Sequence, residues 1–327
     1  MSRLDRACLG VYNHGKIKIR VNIMKSNTKG FIYALAAQLW WGIAPLFWHL
    51  LKDVNSFEIL LHRIIWSYVL CAIIITATGK WKGFFDVFKC KKDVYTLMCS
   101  AALIAVNWGT YIYAVTNEKT VEASLAYYIC SVLTVLAGAA FFHEKINKMK
   151  FTAILLAFLS IIILTVYIKT PPYIALIIAV TFLFYGVAKK LISVSNAIYI
   201  TAIETMFLMP FAIAAFFIMR ANGLTVFGNH MVVDIYLILS GAVTAVPLFL
   251  YNAAAQNILL STFGYLQYIN PSIVFLIGVY VFREPFDKVR FLSFILVWTA
   301  IIFYSLSYRV KSSNKALKEH HPHLRLR

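Results

Sequence analysis

The chain has 327 residues, 61% hydrophobic and only 13% charged, with a formal net charge of +18. A soluble globular domain carries roughly 45–50% apolar and about 25% charged residues, so this composition excludes one and places the chain in a membrane. The excess of Lys and Arg, which in a soluble protein would point to nucleic acid, reads here as a topology signal, and no nucleic-acid partner is expected.

The first 23 residues, MSRLDRACLGVYNHGKIKIRVNI, lack the apolar run of a secretory signal and carry no helical stripe. Residues 1–28 are expected to form a cytoplasmic tail, and Met24 before KSNTKG is a natural start, which would make the preceding stretch an over-extended frame. After it come ten apolar segments of the length that crosses a hydrocarbon core, about 20 residues for about 30 Å. Their spans are 30–50, 57–78, 94–116, 120–142, 150–168, 172–188, 197–219, 235–255, 258–282 and 291–308. They are too long for strands of a membrane barrel, which need about 10 alternating residues. The fold class expected is an all-α integral membrane protein of ten transmembrane helices.

Lys and Arg fix the orientation. With the N-terminus inside, 23 of the 31 fall on cytoplasmic segments and 7 outside, and Arg63 lies within a span. Both ends are then cytoplasmic, including the basic tail 309–327, whose HHPH at 320–323 is a weak metal signature beside the reading of a solvated tail. One outer connection, with Arg283, Lys288 and Arg290, dissents. The five cysteines show no CxxC pair and no disulfide framework, and small apolar fillers are the expected role of those in the helices.

The chain contains a repeat. Shifting SLAYYICSVLTVLAGAAFFHEKINKMKF by 140 residues onto GYLQYINPSIVFLIGVYVFREPFDKVRF aligns Tyr128 with Tyr268, Gly138 with Gly278, Glu144 with Glu284 and Lys148 with Lys288. A shift of 144 lays Trp41 and Gly42 on Tyr185 and Gly186. Each unit, 29–168 and 169–308, holds five helices, an odd number, so the second must cross in the opposite sense. The basic 4–5 connection then recurs on the outside, which explains the dissenting loop. Two inverted units can open a midplane site first to one side and then to the other, the geometry of alternating access.

Polar residues inside the spans are candidates for the pathway, because a charge facing lipid is costly. Arg63, in LLHRIIWSY, lies about 9 Å below the outer surface and Glu204 about 10 Å from the inner one, on spans that are repeat partners. The axial gap left is about 10 Å, too wide for a direct bridge. Two readings of Arg63 stand, a pathway cation and a side chain snorkelling to the headgroups. His62 follows Glu58 by four residues, so a structural pair on one helix face competes with a pathway role for His62. Glu204 is too short to snorkel, and as a buried carboxylate it is a candidate proton carrier. Asn107 and Trp108 on the third span, Asn252 on the eighth, and Gln267, Tyr268 and Asn270 on the ninth are pathway candidates, with helix glue the competing role of the amides. Pro271 frees a backbone carbonyl and bends the ninth span. Tyr128, Tyr268, Trp41 and Trp108 are candidates for the wall of a cavity, where packing is the alternative for aromatics. Glu144 and Glu284 mark the repeat.

EILLHRIIWS, NW at 107–108, EASLAYYI, IETMFLMP and LSTFGYLQYINP, in five different helices in order, resemble the RarD branch of the EamA-type transporters, in the drug/metabolite transporter superfamily. The resemblance covers residues 29–308. It implies ten helices in two EamA-type units, a place in the bacterial inner membrane, and export of small organic solutes. Glu58, His62, Arg63, Asn107, Trp108, Glu122, Ser124, Tyr128, Glu204, Gln267 and Pro271 match the family pattern. ICS at 129–131 departs from it where INP is usual, which puts a symmetrical kink in the fourth span in doubt. The tail before Met24 has no counterpart in the family.

No Walker A loop, HExxH, GxSxG or same-helix carboxylate pair is present, so enzyme chemistry lacks its groups and no cofactor is expected. The expected function is a secondary transporter, by its resemblance an exporter, of small organic metabolites or drugs, with protons as a candidate coupling ion and lipid and the solute as partners. A passive facilitator or pore is the alternative, and monomer and homodimer both stay open.

Overall fold

A computed structural model of the chain describes residues 28–116, 120–144, 146–168, 173–281, 288–289, 291–292, 295–296, 298–304 and 306. Both tails, the Met24 start, the HHPH stretch and Glu284 lie outside them, as do the side chains of Glu122, Ser124 and Tyr128. The described chain folds into α1 Thr28–His49, α2 Ser56–Ala77, α3 Trp81–Val87, α4 Lys91–Thr116, α5 Thr120–Phe142, α6 Lys148–Ile168, α7 Tyr173–Leu191, α8 Ala197–Ala221, α9 Met231–Ala255, α10 Leu260–Leu266 and α11 Ile269–Tyr280. Residues 298–304 are also helical. Among the described residues six helices, α1, α2, α6, α7, α8 and α9, are long and apolar enough to cross a membrane, and Ile129–Phe142 of α5 is a shorter apolar stretch.

Local chemistry sets the ends. At α2 the side chain of Asn55 accepts from Phe57 N, and at α8 that of Asn196 accepts from Ile198 N and Tyr199 N, the usual cure for unpaired first-turn amides. Gly79 and Gly223, with φ of 64° and 66°, reverse the chain after α2 and α8 in a conformation that glycine adopts without strain.

Two spans differ from the sequence reading. The connection after α2, read as a lysine-rich loop, folds into α3, because Trp81, Phe84 and Val87 give it an apolar side that packs beneath α8. Tyr199 closes over it, donating to the carbonyl of Lys80 at 2.8 Å. The ninth span, expected as one helix from 258 to 282, is broken into α10 and α11 at Gln267 and Tyr268. Pro271 is the cause, since its ring and missing N–H exclude the donor that the carbonyl of Gln267, four residues back, would otherwise receive. The corresponding α5, with Cys130 and Ser131 in place of that Asn-Pro pair, runs unbroken.

Packing joins the two halves rather than separating them. α2 lies against α8 and α9, α4 against α7, α5 against α7 and α10, and α1 against α9 and α11. Small residues set the closest crossings. A methyl on Gly241 would overlap the backbone at Trp66, and one on Gly264 would stand 2.9 Å from the Ser131 carbonyl. Tyr185, Tyr251, Tyr268 and Phe263 are fully buried aromatics, and Lys189 is fully buried as well.

Candidate functional site

Two charged clusters face into the bundle, built on α2 and α8. In the first, Arg63 Nε donates to Thr244 Oγ1 of α9 at 2.9 Å. The guanidinium lies over two indole rings, 4.8 Å from the Trp48 centroid and 4.9 Å from that of Trp108. Tyr111 and Tyr127 are near enough to act on it electrostatically, and their rings are 6.3 Å apart. The arginine is held by groups from α1, α4 and α9, contacts that favour the bundle-facing reading over snorkelling. These four aromatics and Arg63 are all only half-buried.

The second cluster surrounds Glu204, which sequence reasoning placed without a partner. Its Oε1 accepts from Lys189 Nζ and from Ser100 Oγ, and its Oε2 from the Tyr185 hydroxyl at 3.3 Å. Lys189 also lies 4.2 Å from the centre of the Tyr185 ring. The span read from sequence ends at 188, which left Lys189, beside Lys190, among the cytoplasmic loop charges. The correction is that α7 continues to Leu191, which turns Lys189 into the core. The Tyr185–Lys189 spacing of four, one helix face, was the available signal, whereas nothing local marks Ser100. Glu204, read from sequence as a buried carboxylate, is thus a member of a buried ion pair.

The expected Glu58–His62 pair is not made. Glu58 accepts instead from Val226 N and Phe227 N at 3.0 and 3.1 Å, tying α2 to the connection between α8 and α9. The bare amides of that connection take up the carboxylate in place of the imidazole. His62 Nδ1 accepts from Trp66 Nε1 at 3.0 Å, its ring packs on Phe216 and Phe227, and its buried Nε2 has no hydrogen-bond partner.

The remaining candidates divide. Asn107 donates to the Ile178 carbonyl at 2.8 Å and to Thr181 Oγ1 at 3.1 Å, joining α4 to α7, and Asn252 donates to Thr201 Oγ1 at 2.9 Å, joining α9 to α8. Both act as glue in this conformation. Trp108 belongs to the Arg63 cluster, and Trp41 packs against Phe182 and Tyr251. Gln267 and Tyr268 are buried at the α10–α11 break, where Gln267 Oε1 is 4.0 Å from Cys130 Sγ, and Asn270 is half-buried in the next turn.

A third polar group fastens the halves together. Glu144 Oε1 accepts from Leu260 N at 2.7 Å and Oε2 from Ser261 N at 3.0 Å, capping the start of α10. Gly138 leaves the room, since a methyl there would stand 2.9 Å from Glu144 Oε2. Lys150 Nζ reaches Ser261 Oγ at 3.3 Å, and Lys190 donates to the Ile258 carbonyl. Among the described residues no group of three or more His, Cys, Asp or Glu side chains is placed to hold a metal.

Long apolar helices with their charges turned inward define a multi-pass α-helical membrane protein, and comparison with known proteins gives its class. Residues 28–166 match the EamA-like transporter family. The chain is 36% identical over 290 residues to the uncharacterized transporter YojE of Bacillus subtilis, covering 85% of this chain and 94% of that one. It is 34% identical over 281 residues to the protein RarD of Escherichia coli, covering 86% and 95%. A crystal structure superposes with a TM-score of 0.65 at 15% identity, over 86% of this chain and 98% of the other, a likeness of fold alone. These matches are those of an EamA-type membrane transporter. Within that class the chain belongs to the RarD family of the drug/metabolite transporter superfamily.

Proposed function

We propose that this transporter carries small organic metabolites or drugs out across the bacterial inner membrane by alternating access between two inverted five-helix repeats, with both termini cytoplasmic. The observation that carries the reading is the placement of Arg63 and Glu204. Each stands eight residues after the asparagine that caps its helix, Asn55 for α2 and Asn196 for α8, and each is turned into the bundle. One has an open flank of half-buried aromatics, while the other is closed by Lys189, as expected of a site open toward one end and sealed toward the other.

The repeat is supported by more than sequence. α5 begins at Thr120 and α10 at Leu260, the same 140-residue shift that relates Glu144 to Glu284. The packing partners exchange as a two-fold operation requires. α4 on α7 answers to α9 on α1, α5 on α7 to α11 on α1, and α2 on α8 answers to itself. Proton coupling would act through the sealed cluster, where protonation of Glu204 removes the charge that holds Lys189. A passive facilitator is the second reading, favoured by the same pair, since Lys189 already supplies the counter-charge without a proton.

The test is uptake into vesicles holding the purified protein, for a panel of amino acids, cations and antibiotics, with and without a pH gradient, comparing wild type with Glu204→Gln. Gradient-driven accumulation that is lost in the variant supports the coupled carrier. Equilibration alone, equal in both, supports the facilitator, and movement of no solute would refute both readings.

A further inference from the structure

The Arg63 cluster is incomplete in a way that specifies its ligand. Among the described residues the ion pairs are Lys89–Asp86 and Lys189–Glu204, and no carboxylate faces Arg63. Glu58, five residues away on the same helix, is occupied by the amides of Val226 and Phe227. A cation in a membrane bundle without a counter-ion is expensive, and two indole faces compensate for it only in part. With Nε spent on Thr244, the donors left are the two terminal amino groups of the guanidinium, for which no hydrogen-bond acceptor is present among the described residues. Side by side in one plane, they match the two oxygens of a carboxylate. Beyond them stand Tyr111 and Tyr127, half-buried rings that suit a flat apolar body.

We infer that Arg63 is the anchor of a solute site for organic carboxylates carrying an aromatic or similarly flat apolar group, walled by Trp48, Trp108, Tyr111 and Tyr127. The inference rests on the transporter reading and narrows its substrate class. The carboxylate supplies the counter-charge that no described residue provides, and the site discriminates against amines because a second cation would be repelled by Arg63.

The test is equilibrium dialysis of the detergent-purified, full-length protein against three labelled probes of one shape: phenylacetate, phenylacetamide and 2-phenylethylamine. The expected order is phenylacetate first, the amide weaker by about tenfold or more as a charge-assisted pair becomes a neutral one, and the amine unbound. Arg63→Gln should abolish the preference for the anion. Arg63→Lys, which keeps the charge but not the planar fork, should weaken phenylacetate by roughly tenfold while leaving it ahead of the amine. The order is measured on the unaltered protein, so a variant that fails to fold leaves the charge test intact. Equal binding of the three, no binding of phenylacetate, or a preference unmoved by either substitution would overturn the inference. Vesicle uptake separates the two claims. A phenylacetate site in a protein that moves no solute sinks the transporter reading and spares the site, whereas transport of other solutes without that selectivity does the reverse.

Discussion

Lys189 shows what a single residue contributes to a membrane core. Its ammonium and the Glu204 carboxylate are buried together, with Ser100 and Tyr185 completing the carboxylate's hydrogen bonds. Removing one member leaves the other charged and unpaired at a cost of about 3–5 kcal/mol. Lys189→Met should therefore lower the thermal unfolding midpoint in detergent strongly, while Lys189→Met combined with Glu204→Gln recovers much of the loss. Additive losses would show that the pair is not coupled. Trp66→Phe is a smaller test of the same kind. It strips the donor from His62 Nδ1, leaving a second unpaired nitrogen on that ring, and should destabilise by about 1–2 kcal/mol in the same melt. The existence of inward charges was legible in the sequence, because Arg63 and Glu204 interrupt apolar runs. Their partners were not, since Thr244 lies 181 residues from Arg63 and Ser100 lies 104 from Glu204.

At the scale of the helix, glycines and caps determine how closely elements approach. Gly241→Ala forces α9 away from the Trp66 backbone and should destabilise by roughly 1–3 kcal/mol, whereas Gly109→Ala, with nothing within 4 Å of the new methyl, should raise stability slightly through helix propensity. Paired melts of the two variants check this, and equal shifts would contradict the packing. Glu144→Ala uncaps α10 and leaves the amides of Leu260 and Ser261 unpaired, which should cost about 1–2 kcal/mol, while Glu144→Gln keeps an acceptor and should cost less. The elements themselves were readable, because a run of about 20 apolar residues has few alternatives in a bilayer. The division of α10 from α11 was readable only in part. Pro271 announced a bend, but placing the break at Gln267 and Tyr268 required the backbone. The helix α3 was hidden by Lys82 and the flanking Lys80 and Lys89, which stay exposed while Phe84 and Val87 enter the core.

For the molecule as a whole, the proposed repeat connects the sequence to the proposed mechanism. A shift of 140 residues, visible in two short stretches, anticipates helices packed across the two halves and equivalent sites for Arg63 and Glu204. It does not anticipate that one site is clamped by indoles and the other by a lysine, because that asymmetry arises from residues that the repeat does not conserve between its halves. Alternating access requires that the two clusters never open to the same side together. The most direct measurement places single cysteines at Thr244, beside Arg63, and at Ser100, beside Glu204, in a background without native cysteines. Membrane-impermeant thiol reagents are then applied to either side of sealed vesicles across a panel of solutes and pH values. The account predicts opposed reactivity, with the cysteine at 244 labelled from outside in conditions that protect the one at 100, and the one at 100 labelled from inside when the first is protected. Simultaneous labelling of both positions from one side, the behaviour of an open pore, would contradict it.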